Sequence, residues 1–398
     1  MQQAILTTQI AESAGLEHRY LASLARQALV AEAQLTPKPG LVDRRGSGSH
    51  TDLSLEIVIR SAAAIEPFFL HMAAASGSAR VDAALRAVLA AIGRQAESAM
   101  FNATGGTNSH KGAIWILGLL IAGATNSQAT APVRVAEVAG SIARIPDPAG
   151  LQLVSHGDLV RVRYGAAGAR GEACAGFPHV IDGGLPALNL ARNRGLCEET
   201  SRLTALLQIM ASLEDTCVLY RGGSEGLEWV QRGARAVLEA GGPGTSPGNA
   251  LLHQLDRALF EHRLSPGGSA DLLAATLFLD TLDGSKGTVR EDNSLNRGTQ
   301  MEHIDFEYPN AQRHIINRAH VGVVGSGDLE VLFEPSAGAG AQVSITTSVN
   351  GFRDAWKAVF DRFFSKFDGS VRIQVNDAGA TPGSVLLRLE QAVEALGQ

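Results

Sequence analysis

The chain has 398 residues, more than a single hydrophobic core usually serves, so two or three domains are expected. Its 34 basic and 40 acidic side chains leave a net charge of −6, and acidic groups lead on both sides of the linker defined below. That excludes a nucleic acid or an anionic membrane as the main partner. Hydrophobic residues make up 45 % and aromatics only 5 %, and the abundant Ala and Gly point to close-packed helices with small residues at their contacts. The three cysteines, Cys174, Cys197 and Cys217, contain no Cys-x-x-Cys pair, which argues against a disulfide framework or a thiolate zinc site and for a reducing compartment. No basic stretch followed by an apolar one opens the chain. The most apolar run, Ala113 to Gly123, is shorter than the roughly 17–25 residues a bilayer needs. A cytoplasmic protein with no membrane segment is expected.

Tyr20, Leu21, Leu24, Ala28, Leu29 and Leu35 recur at helical spacing until Pro37 and Pro39 stop the helix. Leu53–Met72 and Val81–Ala99 give a second and a third helix, and Ile114–Ile121 a fourth, apolar on every side as a central bundle helix should be. Further helical patterns cover residues 132–144, 199–220, 226–240, 250–262 and 269–282. Alternating strand patterns are scarce before residue 285, so the first domain is predicted to be an all-α helical bundle. From Gly284 to Gln300 all apolar periodicity is lost. Residues 285–300 are read as a polar linker between domains at 1–284 and 301–398.

After Met301 the texture changes. His320–Val324 and Leu329–Phe333 flank Gly325-Ser326-Gly327-Asp328, a hairpin signal. Gln342–Ser348 and Val371–Val375 read as strands, and Phe352–Phe367 and Pro382–Leu396 as helices, with Thr381 as cap and Pro382 in the first helical position. This second domain is predicted to be a small α/β (α+β) unit.

Five segments of the first domain could carry chemistry. The loop from Thr36 to Leu53 gathers Lys38, Asp43, Arg44, Arg45, His50 and Asp52 between prolines and glycines, mixing phosphate-binding cations with carboxylates suited to a metal or a general base. A helix stop followed by an Asp52 cap explains the same residues equally well. Next, Thr104–Gly112 (TGGTNSHKG) places Gly105, Gly106, Asn108, His110 and Lys111 directly before an apolar helix, where free N–H groups and the helix dipole suit a phosphate. Its spacing is not that of a Walker A loop. Within Tyr164–Pro178, preceded by His156-Gly157, Arg170 and Glu172 are the polar residues among small ones, and a buried Arg–Glu pair is the structural alternative. Asp215-Thr216-Cys217 with Arg221-Gly222-Gly223 is weak alone. In Leu264–Asp271, Gly267 and Gly268 permit close approach of a ligand, while Ser269 as cap and Asp271 in the first turn would explain themselves structurally.

In this order, TPKPGLVD with GSH-x-D, TGG-x-N-x-HKG, GAR-x-EA, DT followed by RGG, and SPGGSADLLA resemble the triphosphoribosyl-dephospho-coenzyme A synthase family, across about residues 20–283. Cys217, where the citrate lyase branch would carry Asn, brings the match closer to the malonate decarboxylase branch. Independently, VGVVGSGDLEVL, TSVNG and NDAGATPGSV, across about residues 301–396, resemble the acyl carrier (delta) subunit of malonate decarboxylase. There the serine of the Gly-Ser-Gly turn bears the prosthetic group, which maps onto Ser326.

The resemblance implies a transferase that joins ATP and 3′-dephospho-CoA into 2′-(5″-triphosphoribosyl)-3′-dephospho-CoA, releasing adenine. It carries over a triphosphate clamp of Lys38, Lys111, Arg170 and the Gly105-Gly106 backbone. Asp43, Asp52 and Glu172 are expected to serve Mg²⁺ or act as base, and His50 or His110 to transfer protons. Asn108, Asp215, Arg221, Gly267, Gly268, Ser269 and Asp271 complete the expected substrate site. Ser326 would receive phosphoribosyl-dephospho-CoA covalently, through a separate transferase, and the carrier would work with the malonate decarboxylase subunits; a homodimer is allowed for. An ATP N-glycosidase, or a nucleotide-binding helical sensor fused to an interaction module, are the alternative readings.

Overall fold

The computed structural model describes residues 15–147, 160, 162–287, 302–311, 313–322, 329–336, 340–347, 353–377, 380 and 382–397. The chain divides into two units, Met1–Glu291 and Asp292–Gln398, and each is taken by itself. In the first, α1 (Leu16–Gln34) buries Leu21, Leu24, Ala25, Ala28 and Leu29, one stripe at three- and four-residue spacing. Helix α2 (Leu55–Ser76) is started by Ser54, whose hydroxyl accepts the Ile57 N–H at 3.3 Å. Helix α3 (Ala83–Thr104) is started by Asp82, which accepts from Ala84 and Leu85. Helix α4 (Lys111–Ser127) is buried from Ala113 to Thr125 except at Trp115, the central helix the sequence predicts, and packs against α2 and α5 (Pro132–Arg144).

By length and composition α2 could cross a membrane, a property the sequence reading gives to no segment. Its Ala62, Ile65, Phe69 and Met72 face lies in the bundle core, so core packing accounts for it.

Two differences from the predicted elements follow. Residues 168–193, assigned no helix, form α6 (Gly168–Cys174), a π-helical turn (His179–Gly184) and α7 (Leu185–Asn193). The pattern at 199–220 is two helices, α8 (Glu198–Met210) and α9 (Thr216–Glu239), because the chain leaves the helix for Asp215 to cap the next one. Helix α9 kinks at Gly223, whose φ of 61° is left-handed. Helices α10 (Ser246–Glu261) and α11 (Gly267–Gly287) close the unit.

The second unit is a mixed sheet in the order β1-β5-β6-β4-β3. It comprises β1 (Glu302–Tyr308), β3 (Ala319–Val321), β4 (Leu329–Pro335), β5 (Ala341–Thr347) and β6 (Gly369–Asp377), with the short β2 (Arg313–His314) beside β6. Strands β5 and β6 are parallel and joined through α12 (Arg353–Phe364); β3 and β4 are antiparallel, with Ala319 opposite Phe333. The predicted hairpin pairing is therefore present, while its turn, Ser326 included, lies outside the described residues, as do Thr381 and most of the predicted linker. Alternating burial along β4, β5 and β6 turns Val331, Phe333, Val343, Ile345 and Ile373 onto one core with Phe360 of α12 and Leu389 of α13 (Pro382–Ala395).

Small residues close the helical unit as the composition suggests. A side chain on Gly123 of α4 would come within 2.5 Å of the Val135 carbonyl oxygen and 3.0 Å of the Ala139 nitrogen on α5. Gly123→Ala is expected to cost about 1–3 kcal/mol, read as a lower urea midpoint; an unchanged midpoint would mean that α4 and α5 can part freely.

Candidate active site

One buried carboxylate gathers two helix starts. Asp215, 2 % exposed, caps its own helix α9 by accepting from the Cys217 and Val218 N–H groups at 2.9 and 3.4 Å. It also accepts from the first turn of α11: the Gly268 N–H at 3.2 Å, the Ser269 N–H at 2.8 Å and the Ser269 hydroxyl at 3.0 Å. A Cβ on Gly268 would sit 3.2 Å from that carboxylate, which is why glycine stands there. Burial pushes the Asp215 pKa up, and these donors pull against it. The expectation that Ser269 caps α11 is corrected: the helix begins at Gly267, and Ser269 gives its hydroxyl proton to Asp215.

From the same turn, Asp271 faces α4. A Cβ on Gly112 would come 2.0 Å from Asp271 Oδ2, so the glycine after Lys111 makes room for this carboxyl at a helix N-terminus. Asp271 is only partly exposed. Burial, then the neighbouring Glu32 and Asp215, raise its pKa well above the ordinary value, opposed by the Ala113 N–H.

His50 joins three of the motif segments. Its Nε2 lies 2.9 Å from Ser265 Oγ, and its Nδ1 lies 3.3 Å from Arg221 Nη2. A guanidinium only donates, so Nδ1 is the acceptor and the proton sits on Nε2. Burial and then Arg221 lower the His50 pKa. Arg221, itself exposed, also donates to the carbonyls of Ser49 and Arg263. His110 is 4 % exposed, with Nδ1 2.8 Å from Ser61 Oγ. Burial, then Lys38, push its pKa down to about 4.

Several expected roles change. Lys38 is 2 % exposed and donates its Nζ protons to Glu32, so without ligand its charge is met inside the protein. Asp43 accepts from the Lys38 N–H at 2.9 Å and is gripped by Arg45 through Nε and Nη2, while Arg45 also reaches Asp256 at 2.6 Å. Glu172 takes the His179 N–H and Nδ1, each at 2.8 Å, so the alternative of a buried Arg170–Glu172 pair is not formed and Arg170 is exposed. Asp52 is exposed, 3.7 Å from His50 Nδ1. Asp43, Asp52 and Glu172 thus do not form a metal-binding set, and among the described residues no group of three His, Cys, Asp or Glu side chains could hold an ion. Asn108 caps α4 by accepting the Lys111 N–H at 3.1 Å, and Lys111 pairs with Glu97 at 3.3 Å. Gly105 and Gly106 both have positive φ, and a Cβ on either would touch nothing within 4 Å. Gly168 abuts Thr216, where a Cβ would lie 3.2 Å from the threonine methyl. All five segments therefore meet around Asp215 and the start of α11. Sequence reasoning missed Glu32, His179, Ser265 and Asp256, partners that no local spacing announces.

In the second unit, one described residue from each of the three motif segments stands at the same end of the sheet. Asp377 lies opposite both Leu329, which follows the Gly-Ser-Gly turn, and Thr347, which opens TSVNG. Asp377 is buried and accepts the Thr347 hydroxyl at 2.6 Å and the Ala380 N–H at 2.8 Å.

Removing the shared cap tests its weight. Asp215→Ala strands the donors of two helix starts and is expected to cost about 2–5 kcal/mol, with Asp215→Asn in between. A calorimetric Tm that does not move would show that other contacts hold both starts.

Residues 18–289 match the model of the family described as ATP:dephospho-CoA triphosphoribosyl transferase, and residues 316–396 match the malonate decarboxylase delta subunit. A protein of Pseudomonas paraeruginosa (strain DSM 24068 / PA7), named "probable 2-(5''-triphosphoribosyl)-3'-dephosphocoenzyme-A synthase", is 52 % identical over 269 residues, covering 67 % of this chain and 92 % of the relative. One of the same name from Stutzerimonas stutzeri (strain A1501) is 52 % identical over 275 residues, covering 69 % and 95 %. A solved Pseudomonas malonate decarboxylase hetero-tetramer in complex with malonate contains a chain 46 % identical to 24 % of this one, covered in full, with a TM-score of 0.24. With the five segments in register around one buried carboxylate, the chain belongs to the ATP:dephospho-CoA triphosphoribosyl transferase family, and it carries a malonate decarboxylase delta-subunit domain behind the transferase.

Proposed function

We propose that the helical unit joins ATP to 3′-dephospho-CoA and releases adenine, making 2′-(5″-triphosphoribosyl)-3′-dephospho-CoA. The observation that carries this reading is the meeting of all five motif segments at the start of α11, around Asp215 and Asp271. In the reaction the acceptor's 2′-hydroxyl oxygen bonds to the anomeric carbon of ATP's ribose. The bond from that carbon to adenine breaks, and the hydroxyl proton ends on adenine. A group that can both take and give a proton serves this best. Asp271 is assigned that role, because it is partly exposed and its carboxyl holds a proton more tightly than usual. His50 and His110, each fixed by a serine hydroxyl, act as positioning residues. Arg221, exposed and bonded to no carboxylate among the described residues, is the cation assigned to substrate phosphate. Mg²⁺ would arrive on the ATP phosphates, since Asp43 and Glu172 are already engaged.

The carrier unit is proposed to take phosphoribosyl-dephospho-CoA on Ser326. The serine oxygen forms a phosphodiester and pyrophosphate leaves, under a separate transferase, and the loaded carrier works with malonate decarboxylase subunits. Leu329, Thr347 and Asp377, the described residues at the edges of these three segments, lie side by side at one sheet end, which supports this reading.

Adenine measured by chromatography is expected to appear with ATP only when dephospho-CoA is present, and Asp271→Asn should slow it at least ~100-fold. Release from ATP alone would mean hydrolysis of the nucleotide, and no release with tight ATP binding would mean a sensor. For the carrier, intact mass should stay unchanged with ATP and dephospho-CoA alone and rise only with an added transferase. A rise that survives Ser326→Ala would place the acceptor elsewhere.

A further inference from the structure

Helices α3 and α4 hold a cation that the chemistry above leaves unused. Arg86 of α3 is 5 % exposed, and its Nε and Nη1 are buried with no hydrogen-bond partner among the described residues. Its guanidinium lies over the Trp115 ring of α4, 4.6 Å from the centroid, and the Trp115 Nε1 is likewise buried without a partner among the described residues. Burying an arginine is costly unless an anion meets it, and a ring face returns only part of the cost. The nearby carboxylate, Asp147, is engaged by Arg94 at 2.9 Å. Arg94 and Arg170 both lie close enough to add like charge around Arg86.

We propose that Arg86 and Trp115, with the neighbouring Arg94 and Arg170, form the binding site for a polyphosphate group of the substrates. The proposal rests on the reading of the helical unit as an enzyme for ATP and dephospho-CoA. The unpartnered groups are N–H donors without an acceptor, and phosphate oxygens are acceptors without a donor. Several arginines around one spot fit the multiple charge of a diphosphate or triphosphate better than a single carboxylate. Trp115 stands one turn after Lys111 on the same helix face, so this site adjoins the TGGTNSHKG segment.

Calorimetric titration of the intact chain with inorganic tripolyphosphate tests this, with ATP and dephospho-CoA as separate arms. Arg86→Met is expected to weaken tripolyphosphate binding at least tenfold, and Trp115→Phe and Arg170→Ala several-fold each. The nucleotide whose affinity falls in parallel identifies which phosphate chain occupies the site. Without ligand, Arg86→Met should melt at or above the wild-type temperature, because it removes a buried charge that Asp147 and the ring face only partly offset. Tripolyphosphate should raise the wild-type Tm and leave that of the variant unmoved. Unchanged affinity in Arg86→Met would overturn the proposal. If that variant does not fold, unchanged affinity in both Trp115→Phe and Arg170→Ala would do so. Adenine release, followed in parallel, separates the two readings. Arg86-dependent tripolyphosphate binding without product would leave this site standing and the synthase reading refuted. Product formation with Arg86-independent binding would do the reverse.

Discussion

Two helices that start 51 residues apart in the chain begin on the same anion. The N-terminal turns of α9 and α11 both present free N–H groups, and each needs an acceptor. Asp215 supplies it for both, so neither helix can shift along its axis without losing bonds to the other. The glycine pair at 267 and 268 exists to bring the second turn close, and Ser269 adds its hydroxyl. Once α11 is fixed there, Asp271 is held against Gly112 and Ser265 against His50. Three motif segments far apart in sequence are thereby brought to one place, and the kink at Gly223 carries the rest of α9 onward from it.

What the residues announced in advance was what depends on local periodicity. Helix α4 declares itself because Ile114 to Ile121 is apolar on all sides, and the β3–β4 pairing because Val- and Leu-rich runs flank a glycine turn. Helix α7 carried a usable signal, Leu185, Leu188 and Ala191 at three-residue spacing, obscured by the surrounding Gly, Pro and Arg. Ile304 and Phe306 of β1 alternate too briefly to stand out against the polar segment before them. The site was legible as residue types but not as partnerships. Lys38 looks like a phosphate ligand until Glu32, a turn back on α1, is seen to claim it. Asp43 looks like a metal ligand until Arg45 folds onto it from two residues away. Such outcomes turn on side-chain direction in a loop, which spacing does not encode.

The interior of the helical unit is arranged by charge as much as by packing. Glu32, Asp43, Asp215 and Glu172 are all buried, and each is answered by donors: an ammonium, a guanidinium, helix N–H groups and an imidazole. Such fully satisfied groups hold loops in single arrangements, as a preorganised site requires. Asp271 departs from that rule, with the Ala113 N–H opposing two neighbouring acids. Arg86 departs from it with the opposite sign. Departures of this kind are where a fold has kept room for something it binds or a proton it moves.

The crowding of Asp215, Glu32 and Asp271 also makes the protein's folding a reaction with protons. Both Asp215 and Asp271 hold protons more tightly in the folded chain than in the open one. Over the interval between the ordinary aspartate value and the raised one, folding therefore takes protons up from solution. The contribution of these groups to stability accordingly falls as pH rises through that interval. His110 works in the other sense between about 4 and 6.5, where the folded chain keeps it neutral and the open chain charges it, so acid removes stability there. The helical unit is thus drawn in opposite directions by acids and an imidazole of one neighbourhood, and buffering by its own interior becomes part of what sets its stability.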